Sequence, residues 1–68
     1  MNILLIGGGG REHSIAEALS KSSKINELHC IPGNAGIEKI ASCHNNDISN
    51  QQEILNFCEN NNIDIVFI

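Results

Sequence analysis

A small α/β domain built around a parallel sheet is the fold class that the sequence predicts, and three observations support it. The apolar run Ile3–Ile6 does not alternate with polar residues, which is typical of a strand buried on both faces. Strand-like and helical patterns then alternate along the 68 residues, as they do in proteins with parallel sheets. Four consecutive glycines, Gly7–Gly10, join the first strand to the first helix through a turn without side chains.

The first half of the chain is predicted as strand, helix and strand. The first strand covers Asn2–Ile6, and the first helix runs from Arg11 to about Ser22. The second strand, Glu27–Ile31, is more polar than the first and is stopped by Pro32-Gly33-Asn34. The helix has small and apolar residues at helical spacing on the face expected to pack on the sheet: Ile15, Ala16, Ala18, Leu19 and Ser22.

The second half is predicted as a loop, a helix and a strand. Gly36–Asn46 fits a short helical turn or an ordered loop, and both interpretations stay open. A helix is expected from about Asn50 to Asn61, with Ser49 or Asn50 as its N-cap. The third strand is predicted over Ile63–Ile68. The apolar side of this second helix consists of Ile54, Leu55, Phe57 and Cys58.

The resulting order, β-α-β-loop-α-β, is half of a doubly wound, Rossmann-like sheet with a helix layer on each face. A strand order of 2-1-3 is preferred, because it places the most apolar strand in the centre. The order 3-2-1 would instead place the more polar second strand in the middle.

Composition excludes several classes of protein. A net charge of −4 and an aromatic content of 3% disfavour nucleic acid as a partner. No apolar run reaches the roughly 18 residues of a membrane span, and no secretory signal is visible. The three cysteines are widely spaced and form no C-x-x-C pair, which favours free thiols in a reducing, cytoplasmic environment.

Two histidines next to cysteines raise the question of zinc. His29 precedes Cys30, and Cys43 precedes His44. Adjacent residues on a strand point to opposite faces, and no fourth ligand stands at metal-like spacing. We therefore expect no metal within this chain, and we expect Cys58 to lie in the core.

The glycine run predicts an anion-binding site. Glycines allow backbone N–H groups to face a ligand, and the first amides of a helix, together with its dipole, favour negative charge. Arg11 in the first turn opposes that dipole unless an anion is bound nearby. The pattern therefore favours a phosphate or a carboxylate as the ligand.

A dinucleotide is disfavoured by two departures from the G-x-G-x-x-G pattern. Counted from Gly7 and Gly9, the third position is Glu12 rather than glycine. An acidic residue for the ribose is expected about 20 residues further on, yet the second strand is followed by Pro32-Gly33-Asn34. A smaller anion, such as one sugar phosphate, remains the favoured ligand.

Three motifs resemble the amino end of the phosphoribosylamine–glycine ligase family, also called glycinamide ribonucleotide synthetases, in the ATP-grasp superfamily. The family opens with a strand and a glycine-rich turn ending Gly-Gly-Arg-Glu-His, which matches Gly9–His13. It continues through a helix and a strand into Pro-Gly-Asn-Ala-Gly, which matches Pro32–Gly36. An Asn-x-Ile-Asp segment opens its third strand, and Asn61-Asn62-Ile63-Asp64 corresponds to it here. The matches occur in order and span nearly the whole chain.

This resemblance implies a function. The family joins glycine to 5-phosphoribosylamine with ATP, through an acyl phosphate, and yields glycinamide ribonucleotide in purine biosynthesis. Residues 1–68 would form the first part of the amino-terminal, pre-ATP-grasp substrate domain. ATP and Mg²⁺ (or Mn²⁺) would bind in the ATP-grasp region beyond Ile68, with no cofactor and no catalytic residue within this chain. The chain would therefore bind the phosphoribosyl group, need the remainder of its own polypeptide and be inactive alone.

The resemblance assigns substrate-binding roles in the first loop, each with a structural alternative. Gly9 and Gly10 would donate backbone N–H groups to the phosphate, or would only form a tight turn. Arg11 would pair with the phosphate, or would form a salt bridge with Glu12. Glu12 suits the helix dipole without any ligand, and this structural role is the stronger interpretation. His13 would bind the ribose or order the loop.

The second loop contributes Gly33 and Asn34, which follow the second strand at the carboxyl edge of the sheet, where open α/β folds bind ligands. Asn34 is able to donate to and accept from a ribose hydroxyl, although asparagine after Pro-Gly is also ordinary turn chemistry. The alternative function for the whole chain is a Rossmann-type module that binds a nucleotide or dinucleotide without ligase activity.

Overall fold

The computed structural model describes all 68 residues and has the predicted α/β architecture. Two helices and a short 3₁₀ turn connect four strands. The helices are α1 (Gly10–Ser20) and α2 (Gln51–Asn60), and the turn is Ile37–Lys39. The strands are β1 (Asn2–Gly7), β2 (Glu27–Pro32), β3 (Ser42–Cys43) and β4 (Ile65–Phe67).

All neighbouring strands are parallel, in the order β3-β2-β1-β4. The order predicted for the three expected strands is confirmed, because β2 and β4 flank β1. The structure contains one strand that was not predicted, β3. It lies in the stretch Gly36–Asn46, for which the sequence left a helical turn and an ordered loop open. The stretch contains both a 3₁₀ turn, Ile37–Lys39, and loop residues. The two residues of β3 then pair with His29 and Cys30.

Two separate apolar clusters lie on the two faces of the sheet, which confirms that the helices cover opposite sides. Alternate residues of β1 divide between them, since successive side chains of a strand point to opposite faces. On one face Ile3 and Leu5 pack with Ala16 of α1 and with Ile37. On the other face Leu4 packs with Phe57 of α2.

The second strand is more deeply buried than its polar sequence suggests. Leu28, His29, Cys30 and Ile31 are all buried, because the two apolar clusters cover the faces of β2, and β3 pairs with its outer edge. His29 is only 7% exposed, yet both of its ring nitrogens have partners. Burial of the His29 ring therefore leaves no polar atom without a hydrogen-bond partner.

Three predicted apolar positions differ from the structure. Ala18 is exposed, so the buried stripe of α1 is narrower than expected, and Ser22 is exposed beyond the end of α1 at Ser20, two residues earlier than predicted. Leu55 was predicted on the buried side of α2 but is 52% exposed. Leu55 instead lines an open apolar groove between α2 and β4, a strand of only three residues. Cys58 packs beside the second core cluster and is half-buried.

None of the helices is long and apolar enough to cross a membrane.

Removing the N-cap of α2 should destabilise the fold. Asn50 Oδ1 accepts a hydrogen bond from the backbone N–H of Glu53 at 3.1 Å, which identifies Asn50, rather than Ser49, as the cap. We expect Asn50→Ala to lower the free energy of unfolding by about 1 kcal/mol in urea denaturation. Gln51→Ala, one residue further on, removes no cap and should change it little. Equal losses in both variants would contradict a capping role for Asn50.

Acidification should destabilise the contact between β2 and the segment after β3. Burial and the neighbouring His29 lower the pKa of His44 from its ordinary value of 6.5. The neutral ring is thus favoured in the folded state, so the stabilisation is present above pH 6.5 and is lost as the pH falls through the lowered pKa. The contribution of one such group has a slope of at most about 1.4 kcal/mol per pH unit.

The measurement is the urea midpoint of the wild type and of His44→Gln between about pH 7.5 and 5. We expect the wild type to lose more stability than the variant on acidification. A parallel decline in the two proteins would show that His44 does not contribute.

Candidate functional site

Two loops meet at the carboxyl edge of the sheet: the glycine loop, Gly7–Gly10, and the second loop, Gly33–Gly36. Gly7 stands opposite Pro32 in the parallel register, so β1 and β2 end at the same level. The Gly33 N–H then donates to the Gly7 carbonyl at 3.1 Å. Gly7 and Gly33 have φ values of +134° and +75°, a region that favours glycine. These conformations turn the chain out of each strand.

The close approach of the loops depends on the absence of a side chain at Gly8. A methyl group at this position would lie 2.6 Å from the Gly33 carbonyl oxygen. Backbone therefore packs directly on backbone at the base of the site.

The first turn of α1 presents unpaired amides at this edge. The N–H groups of Gly10, Arg11 and Glu12 have no hydrogen-bond partner, whereas the Gly9 N–H donates to Glu12 Oε1 at 2.9 Å. Of the two predicted phosphate donors, Gly10 has a free N–H and Gly9 has one that is already paired. Free amides at a helix N-terminus, with the dipole behind them, favour an anion.

Arg11 and Glu12 supply the charges of the first turn. Arg11 Nη1 lies 3.2 Å from Glu12 Oε2, so the predicted salt bridge is present. The Arg11 side chain is 65% exposed and the Glu12 side chain 13%, which makes the guanidinium the accessible member of the pair. Arg11 Nη2 also donates to the Ile68 carbonyl at 3.2 Å. An exposed pair of this kind contributes little stability, and the guanidinium retains donors for a ligand.

His13 connects the first helix with the second loop. Its half-buried ring lies against Gly36, where a methyl group would be 2.6 Å from the imidazole Cε1. Neither ring nitrogen has a hydrogen-bond partner within the chain. The ring is thus held by packing, and its polar atoms are free to contact a ligand.

Both ends of the Asn34 side-chain amide form hydrogen bonds with backbone groups. Its Nδ2 donates to the Gly8 carbonyl at 2.8 Å, and its Oδ1 accepts from the Ile37 N–H at 2.9 Å. The structure therefore brings together all seven residues that the sequence indicated: Gly9, Gly10, Arg11, Glu12 and His13 on one loop and helix, Gly33 and Asn34 on the other loop.

Two thiols lie beneath the loops, that of Cys30 buried and that of Cys43 half-buried. Cys30 Sγ donates to the Gly7 carbonyl at 3.2 Å, and Cys43 packs under Gly33. Burial, with smaller contributions from Cys43 and Glu12, raises the pKa of Cys30 to about 11, and burial also raises the pKa of Cys43. Both thiols are therefore neutral near pH 7 and add no negative charge near the amides.

The histidine and cysteine pairs do not form a metal centre. His29 Nδ1 is hydrogen-bonded to His44 Nε2 at 2.9 Å, and His29 Nε2 to Glu27 Oε1 at 2.8 Å. Phe57 packs edge-on against both rings. Cys30 lies in the core cluster on the opposite face of the sheet. No group of three or more ligating side chains is arranged to hold a metal ion.

An apolar groove of about 580 Å³ lies apart from the two loops, between α2 and β4. No charged residue lines it, which makes it unsuited to an anion. Its walls consist of Ile6, Ile48, Ser49, Gln51, Ile54, Leu55, Cys58, Val66 and Ile68.

Sequence reasoning missed the contributions of Gly8, Gly36 and the two thiols to the geometry of the site. The signal for Gly8 and Gly36 was the glycine content of both loops, but a glycine does not reveal which atoms approach it. The positions of Cys30 and Cys43 follow only from the pairing of β2 with β3, a strand of two residues.

Comparison with known proteins gives a consistent result over the entire chain. A family model described as "Phosphoribosylglycinamide synthetase, N domain" matches residues 1–68. Phosphoribosylamine–glycine ligases from Caldanaerobacter subterraneus subsp. tengcongensis and Clostridium acetobutylicum are 41% and 38% identical over 68 residues. The aligned region covers 100% of this chain and 16% of each relative.

A solved structure leads to the same family. The crystal structure of phosphoribosylamine–glycine ligase from Thermotoga maritima superposes with a TM-score of 0.74 at 31% identity. The match again covers 100% of this chain and 16% of the other. The chain thus spans about one sixth of the length of these relatives.

A matched pair of glycine substitutions tests the packing of the loops. Gly8→Ala should force the glycine loop away from Gly33 and lower the free energy of unfolding by about 1–3 kcal/mol. Gly10→Ala meets nothing within 4 Å and lies in the helix, so it should be neutral or stabilise by up to about 1 kcal/mol. Urea denaturation of both variants measures the difference. Equal tolerance of the two substitutions would contradict direct backbone packing at Gly8.

Proposed function

Because the chain belongs to the phosphoribosylglycinamide synthetase N-domain family, we propose that it binds the phosphoribosyl group of 5-phosphoribosylamine and of glycinamide ribonucleotide. It does so as part of a ligase that joins glycine to 5-phosphoribosylamine with ATP in purine biosynthesis. Residues 1–68 are the first part of the substrate-binding domain in this proposal, and the remainder of the polypeptide is the partner that completes it.

The observation that carries the proposal is the group of unpaired amides at Gly10, Arg11 and Glu12, with the exposed Arg11 guanidinium beside them. Backbone donors and a planar cation in one turn suit the oxygens of a phosphate. In this proposal the ribose contacts His13, whose ring nitrogens have no partner within the chain and whose ring lies against Gly36 of the second loop.

The chemical step belongs to other parts of the enzyme in this proposal. The two thiols beneath the loops are poor nucleophiles, since burial raises the pKa of both Cys30 and Cys43 and so disfavours their thiolates. ATP and Mg²⁺ (or Mn²⁺) bind in an ATP-grasp region outside residues 1–68, and this chain contributes no catalytic residue. The three free cysteines accord with a cytoplasmic location.

A dinucleotide-binding module is the competing function, and Glu12 argues against it. Its carboxylate lies beneath the glycine loop, and a methyl group at Gly7 would lie 2.6 Å from Glu12 Cδ. The third glycine of a dinucleotide loop leaves that space open for close packing and brings no negative charge near the pyrophosphate. The loop is accordingly better suited to one phosphate than to two.

Calorimetric titration of the intact polypeptide with glycinamide ribonucleotide and with NAD⁺ tests the proposal. We expect the wild type to bind the ribonucleotide and not NAD⁺. Arg11→Gln should weaken ribonucleotide binding about 10- to 150-fold, because a hydrogen bond from a charged donor is lost. Lys21→Gln removes a charge at the other end of α1 and serves as the control.

Two results would contradict this proposal. NAD⁺ binding without a response to the ribonucleotide would support the dinucleotide module. Equal ribonucleotide affinities of Arg11→Gln and the wild type would remove Arg11 from the site.

A further inference from the structure

We propose that Asn34 is a positioning residue, which fixes one peptide unit of the glycine loop and thereby aims the amides that follow it at the phosphate. This inference rests on the proposed function, and it assigns to Asn34 a role that requires no contact with the ribose. The observation behind it is the pair of backbone hydrogen bonds made by the Asn34 side chain.

The orientation of the Asn34 amide is determined by its partners. Nδ2 faces the Gly8 carbonyl, and Oδ1 faces the Ile37 N–H. If the amide were turned by 180°, Oδ1 would face the Gly8 carbonyl oxygen and Nδ2 would face the Ile37 N–H, and neither pair could form a hydrogen bond. The Asn34 carbonyl also accepts from the Glu38 N–H at 2.9 Å, so this residue is anchored to the 3₁₀ turn through its backbone as well.

The peptide unit between Gly8 and Gly9 is held from both sides. Asn34 Nδ2 donates to its carbonyl, while its N–H donates to Glu12 Oε1 at 2.9 Å. Because a peptide unit is planar, these bonds determine the orientation of the whole unit. Two flexible glycines flank the bond, so without such partners the plane would rotate at little cost.

The position of this peptide unit connects Asn34 with the anion site. Gly9 is the N-cap of α1, and the unpaired amides of Gly10, Arg11 and Glu12 follow it directly. Glu12 belongs to α1 itself, so its bond cannot set the helix relative to β2. Asn34 follows β2 and supplies that link between the two elements. Loss of its donor should therefore misdirect the amides and leave the sheet intact.

Asn34→Asp removes the Nδ2 donor of the side chain and keeps its acceptor. The carboxylate keeps an acceptor for the Ile37 N–H, loses the donor to Gly8 and faces that carbonyl with negative charge. We expect affinity for inorganic phosphate and for ribose 5-phosphate to fall by the same factor, about tenfold, in titrations of the intact polypeptide. Asn34→Ala removes both bonds without adding a charge and should act in the same direction, should the aspartate variant fail to fold.

Asn56→Asp is the matched control. Asn56 Oδ1 accepts from Gln52 Nε2 at 3.0 Å on the exposed side of α2, and the aspartate preserves this acceptor while adding the same charge. We expect its affinity for both phosphate ligands to equal that of the wild type. A loss as large as that of Asn34→Asp would overturn the proposal, because net charge alone would then explain the effect.

Comparison of the two ligands separates positioning from direct contact. Weaker binding of ribose 5-phosphate with unchanged binding of phosphate would show that Asn34 contacts the sugar, and would overturn the proposal. The amide hydrogen exchange of Gly9, whose N–H is paired with Glu12 Oε1, provides a measurement that needs no ligand. Faster exchange in Asn34→Asp than in Asn56→Asp supports positioning, and equal exchange overturns it. If the wild type binds neither ligand, the proposed function fails while the exchange result still decides the role of Asn34.

Discussion

The parallel pairing of β1 with β2 is the constraint on which the rest of the structure depends. With Gly7 opposite Pro32, both strands end at one level, and the loops that follow them are brought into contact. The same pairing divides the apolar residues of β1 between the two faces, so that one helix packs on each. Only ten of the 68 residues are buried, which makes this central strand pair most of the stable framework.

At the carboxyl edge of the sheet, hydrogen bonds rather than apolar contacts hold the backbone of the two loops in place. The loops contain too few side chains to form a core, and their conformation depends on hydrogen bonds between backbone groups and the side chains of Glu12 and Asn34. The thiol of Cys30 and the N–H of Gly33 complete this arrangement at the Gly7 carbonyl. Nearly every donor at the base of the site is thus occupied, whereas the amides of the first helical turn stay available.

The sequence predicted those strands and helices that are marked by a pattern of neighbouring residues. The unbroken apolar run predicted β1 at the centre of the sheet, and the two candidate caps, Ser49 and Asn50, predicted the start of α2 within one residue. Long-range contacts explain the differences. Leu55 fits the apolar pattern of its helix but lies exposed in the groove beside the three-residue β4, and β3 forms only because β2 provides a partner for two residues. A strand that short has no periodicity to detect.

The sequence by itself predicted the fold class, the glycine-rich turn at the carboxyl edge of the sheet and the seven residues that the structure brings together around it. These follow from the spacing of apolar residues, from glycine and from the rule that parallel strands share a carboxyl edge. The tertiary structure alone decided how each polar group is employed. It paired the Gly9 amide with Glu12, directed the Asn34 amide to the backbone and left the Gly10 amide free. The physical reason is that a hydrogen bond depends on the distance and angle between two groups in the folded chain, and residue type specifies neither.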